Sequence, residues 1–471
     1  MLFKDIIDIH TLQPKWDVIE TIPEFAALKE TGQHVDWHTE GNVWNHTRLV
    51  AEEMYKAVYE IREISKENNL VKVLSTMNPI ALMAAAICHD LGKATTTHWD
   101  EETQNYVCTN HGKAGEEITR RLFFDEEITL RERVCFLVRW HMTLHHIFDD
   151  EEHKDKGYAL LLRGNAPFTE MCTLYACDCR GSRPNDKVEQ IDLDKRMEEI
   201  RDELKRYVGN DELLTKYDKI HLCKEGEETM RVAVLIGIAG SGKTIFIKEH
   251  FPEDTPIVSR DIIRQELGYV DENGKFKGDK KQEDKVTNLF NKRCKDYAEK
   301  NISFIIDNMN LKAKYRNAYH ELLKDYPIHW DYIYIEPPTI DIAKKRREGQ
   351  IDPKEIDRMV SSINFPTPVE YHNIEVKKTF DIQNEIEMWH NETIFHSNSN
   401  LILNNPHFDN IIKSGIDALD YIIEDLNKRP SHLFVAACSI DNRLAENINQ
   451  SGNISNACKM VCKNYKKFYN E

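Results

Sequence analysis

The chain has 471 residues with 41% hydrophobic and 30% charged residues, a composition for a soluble protein of two to four domains. Its formal charge of −17 argues against a surface that coats duplex DNA by charge neutralisation, while leaving room for a local basic site that grips one strand end. No apolar run approaches the roughly 18 residues of a membrane span, and Met1–His10 lacks a signal-peptide pattern. The 11 cysteines follow no disulfide spacing, so a reduced, cytoplasmic protein away from membranes is expected.

Residues 1–210 read as all-α, with amphipathic stretches such as Leu49–Ile64 and Glu116–Leu122 and few strand signals. The densely charged run 187–207 predicts an exposed helix leading into a linker. Histidines and aspartates recur along this part. His46 lies in Val43-Trp-Asn-His-Thr47, and His89-Asp90 in Ala84-Ala-Ala-Ile-Cys-His-Asp-Leu-Gly-Lys93. His111, His141 and Asp178 come after them. An imidazole and a carboxylate at the end of so apolar a helix are poorly solvated unless something neutralises them. A divalent metal is the economical partner.

This pattern resembles the HD superfamily of metal phosphohydrolases, with its order His…His-Asp…Asp. The stretches His38-Thr-Glu-Gly-Asn-Val-Trp-Asn-His46 and Leu174-Tyr-Ala-Cys-Asp-Cys-Arg-Gly181 are similar to those of bacterial tRNA nucleotidyltransferase HD domains. Over about residues 30–185 the resemblance implies an all-α fold and phosphoester hydrolysis. His46, His89, Asp90 and Asp178 would be metal ligands, and His111 and His141 would hold a second ion. Mn²⁺, Ni²⁺, Co²⁺ or Zn²⁺ suits such a set. Lys93 and Arg180 are candidates for holding phosphate oxygens, and His38 and Lys113 for substrate or proton contacts.

Residues 225–380 alternate strand-like runs (231–236, 255–259, 302–307 and 330–335) with helical patterns, which predicts an α/β domain with a parallel sheet. Between the first strand and the next helix lies Gly237-Ile-Ala-Gly-Ser-Gly-Lys-Thr244, a complete phosphate loop. Gly237, Gly240 and Gly242 let backbone N–H groups, with Ser241 between them, close around an anion. Lys243 reaches the β/γ phosphates of ATP or another NTP, and Thr244 holds Mg²⁺.

The segments after the loop bear on the acceptor. Ile257-Val-Ser-Arg-Asp-Ile-Ile-Arg264 resembles the acceptor motif of 5′-OH polynucleotide kinases. That resemblance implies Asp261 as general base and Arg264 as phosphate clamp. Ser303-Phe-Ile-Ile-Asp-Asn-Met-Asn-Leu311 is similar to their Asp-x-Thr-Asn segment, with Asp307, Asn308 or Asn310 near acceptor or metal. Ala343-Lys-Lys-Arg-Arg-Glu-Gly-Gln-Ile-Asp-Pro353 resembles the lid, with Arg346 and Arg347 over the phosphates. Phe365-Pro-Thr-Pro-Val-Glu370 resembles the run that closes the domain.

Residues 385–471 read as a mostly helical module. Phe434–Arg443 echoes 84–93 with Ser439-Ile440 in place of His-Asp, and Asn405-Pro-His-Phe408 is similar to the opening of some HD modules, so a degenerate, non-catalytic HD-like domain is one expectation. The whole arrangement resembles the bifunctional HD-Pnk end-healing enzymes. These would restore 3′-OH and 5′-phosphate ends on RNA or DNA from 2′,3′-cyclic phosphate and 5′-OH. No Lys-x-Asp-Gly ligase signature occurs, so sealing is expected to fall to a separate ligase. Other readings remain open at this point: an HD nucleotidase fused to a nucleoside or nucleotide kinase, an HD phosphodiesterase of a signalling nucleotide, and an NTP-switched RNA-binding protein.

Overall fold

Apolar residues at helical spacing, Val43, Val50, Met54 and Val58, with Thr47 between them, bury one face of helix α1 (Val43–Glu67). This computed structural model describes residues 1–67, 77–163, 167–186, 188, 191–208, 230–271, 276–337, 339–366, 374–378, 382–393, 398–450 and 452–469. The chain divides into two units. One comprises Met1–Ile238, Asp254–Ile333 and Glu348–Glu375; the other comprises Ala239–Glu253, Tyr334–Arg347 and Val376–Glu471.

In the first unit α1 packs against α2 (Pro79–Cys88), which starts on Asn78. The Asn78 carboxamide oxygen accepts from the N–H groups of Ile80 and Ala81, and Pro79 fills the first helical position. Every residue of 81–88 is buried, so α2 is a core helix that ends in His89-Asp90. A hairpin of β1 (Thr97–Asp100) and β2 (Asn105–Cys108) interrupts the helices. Its strands are too short for sequence periodicity to reveal them. Asp100 Oδ1 organises its turn by accepting from Glu102 N at 2.8 Å. Then come α3 (His111–Leu122), α4 (Ile128–Trp140) and α5 (Phe168–Gly181). The charged run expected to be helical from 187 forms a helix over Leu193–Tyr207.

Strand β3 (Met230–Ile236) buries every residue except Arg231. It leads through the phosphate loop into α6 (Lys243–His250), β4 (Ile257–Val258) and α7 (Arg260–Glu266). Next in the chain are α8 (Lys280–Glu299), β5 (Phe304–Asp307), α9 (Ala313–Leu323) and β6 (Ile328–Glu336). The last members are α10 (Ile340–Arg346), α11 (Pro353–Ser361) and β7 (Ile374–Lys378). The sheet order is β4-β5-β3-β6-β7. β3 and β5 run parallel, with Val232 opposite Phe304 and Leu235 opposite Asp307. β4 and β5 also run parallel. Helical crossovers between neighbouring strands are what parallel pairing requires.

α3 and α11 pack together in the first unit. At their junction the buried Arg120 donates to Glu116 and Glu132, and its Nη1 reaches Ile363 O at 3.3 Å. Its guanidinium lies 5.8 Å from the Phe365 ring centroid. The C-terminal helices Ile382–Thr393, Pro406–Lys413, Leu419–Lys428, Leu433–Ile440 and Ile454–Tyr469 close on their own core, which includes Trp389, Phe408, Ile422, Leu433 and Val461. Among the described residues no helix is long and apolar enough to cross a membrane.

Candidate metal centre and phosphate-binding loop

α1, α2 and α5 bring His46, His89-Asp90 and Asp178 together, and the start of α3 and the end of α4 add His111 and His141. All six are at most 7% exposed, so their charges must be balanced within the protein. His46 Nε2 lies 2.9 Å from Asp178 Oδ1, 3.3 Å from His89 Nε2 and 3.7 Å from Asp90 Oδ2. His89 Nε2 lies 3.3 Å from Asp90 Oδ2. The other Asp90 oxygen faces a second set. Oδ1 is 3.6 Å from His111 Nε2 and 3.8 Å from His141 Nε2, and those two nitrogens are 3.1 Å apart. Ligand atoms held about 2.0–2.2 Å from one cation lie about 3.0–3.5 Å from each other. Both sets lie within or a few tenths of an ångström beyond that spacing, and Asp90 places one oxygen in each.

The outer ring nitrogens are committed elsewhere, as metal-ligating imidazoles require. His89 Nδ1 donates to Ala86 O at 2.9 Å and His141 Nδ1 to Val138 O at 2.7 Å, which aims each Nε2 lone pair inward. Glu40 Oε1 takes His38 Nδ1 at 2.7 Å and His46 Nδ1 at 3.1 Å. His145 Nε2 lies 3.0 Å from Asp178 Oδ2, the oxygen that faces away from His46. Lys93 Nζ is 2.7 Å from Asp90 Oδ2. Arg180 and Lys113 are exposed.

The electrostatics fit a cation. Burial pushes His111 down to about 4. Burial, and then the neighbouring charges of His111 and His89, pushes His141 well below the usual imidazole range. Both are neutral at pH 7, the form in which an imidazole can ligate a metal. Burial also works against ionised Asp90, but the charges of Lys93 and His89 outweigh it and keep Asp90 a carboxylate. Burial opposes charge on His46 too, yet its bonds to Asp178 and Glu40 raise it to about 9. A proton there occupies the place a metal would take. Both Asp90 oxygens are sealed from solvent; Oδ2 is met by the Lys93 ammonium at 2.7 Å, and Oδ1 has no hydrogen-bond partner among the described residues. A carboxylate so placed suits bridging Mn²⁺, Fe²⁺, Co²⁺, Ni²⁺ or Zn²⁺.

Glu40 and His145 are the participants that motif order did not single out. The signal for His145 was its position one helical turn after His141, among other histidines. His145→Ala is expected to weaken metal binding about 10–100-fold, measured by competition with a chromogenic chelator, because Asp178 loses its outer partner. Close backbone approach matters as well. A methyl group on Gly92 would sit 2.0 Å from His111 O and 2.6 Å from Gly115 N. Gly92→Ala is expected to cost about 1–3 kcal/mol in denaturant unfolding and to lower metal content, since α3 must move off the centre.

In the phosphate loop Gly240 and Gly242 adopt φ of +80° and +96°, which turns successive N–H groups inward. Lys243 and Thr244 open α6, where the helix dipole favours an anion. Gly237 N donates to Met309 O, and Ser241 is buried. From α10, Arg346 Nη1 donates to Gly240 O at 3.1 Å, and a side chain on Gly240 would meet Ala343 O at 2.6 Å. Arg347 caps α10 and is half-buried.

On α7 the Asp261 side chain is 83% exposed and accepts from Arg264 Nη1 at 2.7 Å. Arg264 also binds Glu283 of α8 at 2.7 and 3.1 Å, and Arg260 reaches the same Glu283. Glu283, which carries no local sequence signal, is the shared partner of both arginines. The polar end of β5 is tied into the surrounding elements. Asn308 Oδ1 accepts from Arg260 N, and Tyr319 links Asn308 to Asn310. Asn310 Nδ2 donates to Leu235 O. Asp307 is half-buried. Of the closing run, Phe365 and Pro366 are described and 367–370 lie outside the described residues. In the C-terminal echo Ser439 is exposed, with its hydroxyl on Val435 O, in the place of His89. His407 and His390 are bound by Glu385 and Asp425.

Residues 42–179 match the HD domain family and residues 232–365 match an AAA domain family. The first match begins just before His46 and ends just past Asp178. The second contains the phosphate loop, Asp261, Arg264, Arg346 and Arg347. No curated protein matches the chain. The chain therefore joins an HD phosphohydrolase-type domain to a kinase-like P-loop domain, with residues suited to divalent metal in the first and to nucleotide with Mg²⁺ in the second.

Proposed function

We propose that this protein heals broken RNA or DNA ends. Its HD domain would hydrolyse 2′,3′-cyclic phosphate or 2′/3′-phosphate ends, and its P-loop domain would phosphorylate 5′-OH ends with ATP or another NTP. The observation that carries the reading is the occurrence, in one chain, of the Asp90-bridged ligand sets and the Ser-Arg-Asp-x-x-Arg segment after a phosphate loop. Together they address the two ends that one strand break leaves.

At the HD centre, divalent ions would supply Lewis acidity to the phosphoryl oxygens and a more acidic attacking water. The residues do the rest. Asp90 spaces the two ligand sets, and His145 and Glu40 hold Asp178 and His46 in orientation. Lys93 offers its ammonium to a non-bridging phosphate oxygen, and Arg180 gives a second cation to the strand. Water adds across one P–O bond, and its proton ends on the departing ribose oxygen.

In the kinase, Asp261 accepts the 5′-OH proton as that oxygen attacks the γ-phosphorus and the β–γ bridge breaks. Arg264 exchanges its carboxylate partner for the strand's phosphate, which frees Asp261 to act. Lys243, Arg346 and Arg347 neutralise the charge on the transferring group, and Thr244 is the residue that would hold Mg²⁺. A ligase supplied by another chain would consume the products.

The test is incubation with ATP, Mg²⁺ and Mn²⁺ or Ni²⁺ on a short RNA bearing a 5′-OH and a 2′,3′-cyclic phosphate, with both ends resolved by mass. Gain of a 5′-phosphate together with loss of the cyclic phosphate is the expected result. Unchanged RNA ends with turnover of mononucleotides would replace this reading by nucleotide metabolism.

A further inference from the structure

Gln33 stands beside the metal centre and belongs to no motif. Its backbone is pinned on both sides. Gly32 bridges to Asn42 just before α1, and the next residues hang from the buried Asn105 of β2. Val35 N donates to Asn105 Oδ1 at 3.0 Å, and Asn105 Nδ2 lies 3.3 Å from His34 Nδ1. The side chain is 4% exposed. Its Oε1 accepts from Lys93 Nζ at 3.2 Å, and an ammonium has only donors, so this contact fixes which way the amide is turned. The same ammonium is 2.7 Å from Asp90 Oδ2. Nε2 is left buried, with two N–H groups and no hydrogen-bond partner among the described residues.

A buried donor without an acceptor carries its whole desolvation cost, and natural proteins keep few of them without use. This one is rigidly held and sits next to an ammonium that touches the bridging carboxylate. The complement to an ammonium and an amide N–H pair at one spot is a group that only accepts and carries negative charge. We infer that Gln33 Nε2 binds a non-bridging oxygen of the phosphate that the HD centre hydrolyses, with Lys93 on the same group. This rests on the reading of that centre as a phosphoesterase. It assigns Gln33 the selection of a phosphate dense in acceptor oxygens over a ligand that must donate. A ribose hydroxyl at Nε2 is the competing occupant, and orthophosphate, which has no ribose, separates the two.

Gln33→Met keeps the volume and removes both polar atoms, while Gln33→Glu keeps the shape and the Lys93 contact but replaces donors by an acceptor. Binding of inorganic phosphate to the manganese-loaded full chain would be measured by calorimetry, with metal content, melting temperature and ATP binding recorded alongside. The expected result is a loss of phosphate affinity of tenfold or more in both variants, with manganese and ATP binding retained. Phosphate affinity within twofold of wild type would overturn the assignment, leaving Gln33 as a brace for Lys93 or a ribose contact. Loss of manganese in both variants would overturn it too, in favour of a structural role. If the wild type binds phosphate through Gln33 but turns over no strand end, the assignment stands and the end-healing reading falls. If it binds no phosphate while RNA ends are healed, the reverse holds.

Discussion

Asp90→Asn is expected to reduce phosphoester hydrolysis about 10³-fold or more while 5′-phosphorylation by the same protein stays within about twofold of wild type. The size of the effect comes from how Asp90 is shared. One oxygen faces His46 and His89 and the other faces His111 and His141. Whichever way an asparagine amide turns, one set receives an NH₂ group, which cannot ligate, and both lose the negative charge. Lys93, 2.7 Å from Oδ2, would then face a neutral group. Metal content measured by plasma emission should fall with activity. A variant that keeps full metal content and hydrolysis would show that Asp90 is not the bridge.

Asp261→Asn is expected to lower kinase kcat by about 10²–10⁴-fold, the range for removal of a general base, with the KM for ATP unchanged. Asparagine still offers an oxygen to Arg264, whose other partner Glu283 holds it in place, so α7 should be undisturbed. Loss of phosphorylation with intact hydrolysis at the other end is the expected pattern. A decrease of only two- or threefold would mean that Asp261 serves chiefly as an ion-pair partner on an exposed helix face.

The features legible in the sequence are those written in short stretches. The phosphate loop is local: its glycines, lysine and threonine are consecutive, and the strand before it is a continuous apolar run. His89 and Asp90 stand out because they end a helix with no other polar residue. The rest depends on packing between distant segments. His145 meets Asp178 across two helices, and Glu283 meets Arg264 from a neighbouring helix. No spacing rule pairs them. The resemblance marks Asp307 or Asn308 as a contact to acceptor or metal, with Asn310 nearby, but no spacing rule gives their partners: the amides of Asn308 and Asn310 tie β5 to β3, α7 and α9. The hairpin at 97–108 was hidden because two four-residue strands carry too little alternation to register.

Helix α3 opens with His111 and carries Arg120 near its other end, where the guanidinium is bound to Ile363 O beyond α11. A fragment ending at Tyr207 would keep all six candidate metal ligands. It would also strip a carbonyl and an aromatic ring from a buried cation and bare the flank of the helix that sets His111. In this chain the HD domain is thus not a detachable cassette. Exchange of one half for that of a distant relative would have to carry matching halves of the Arg120 joint.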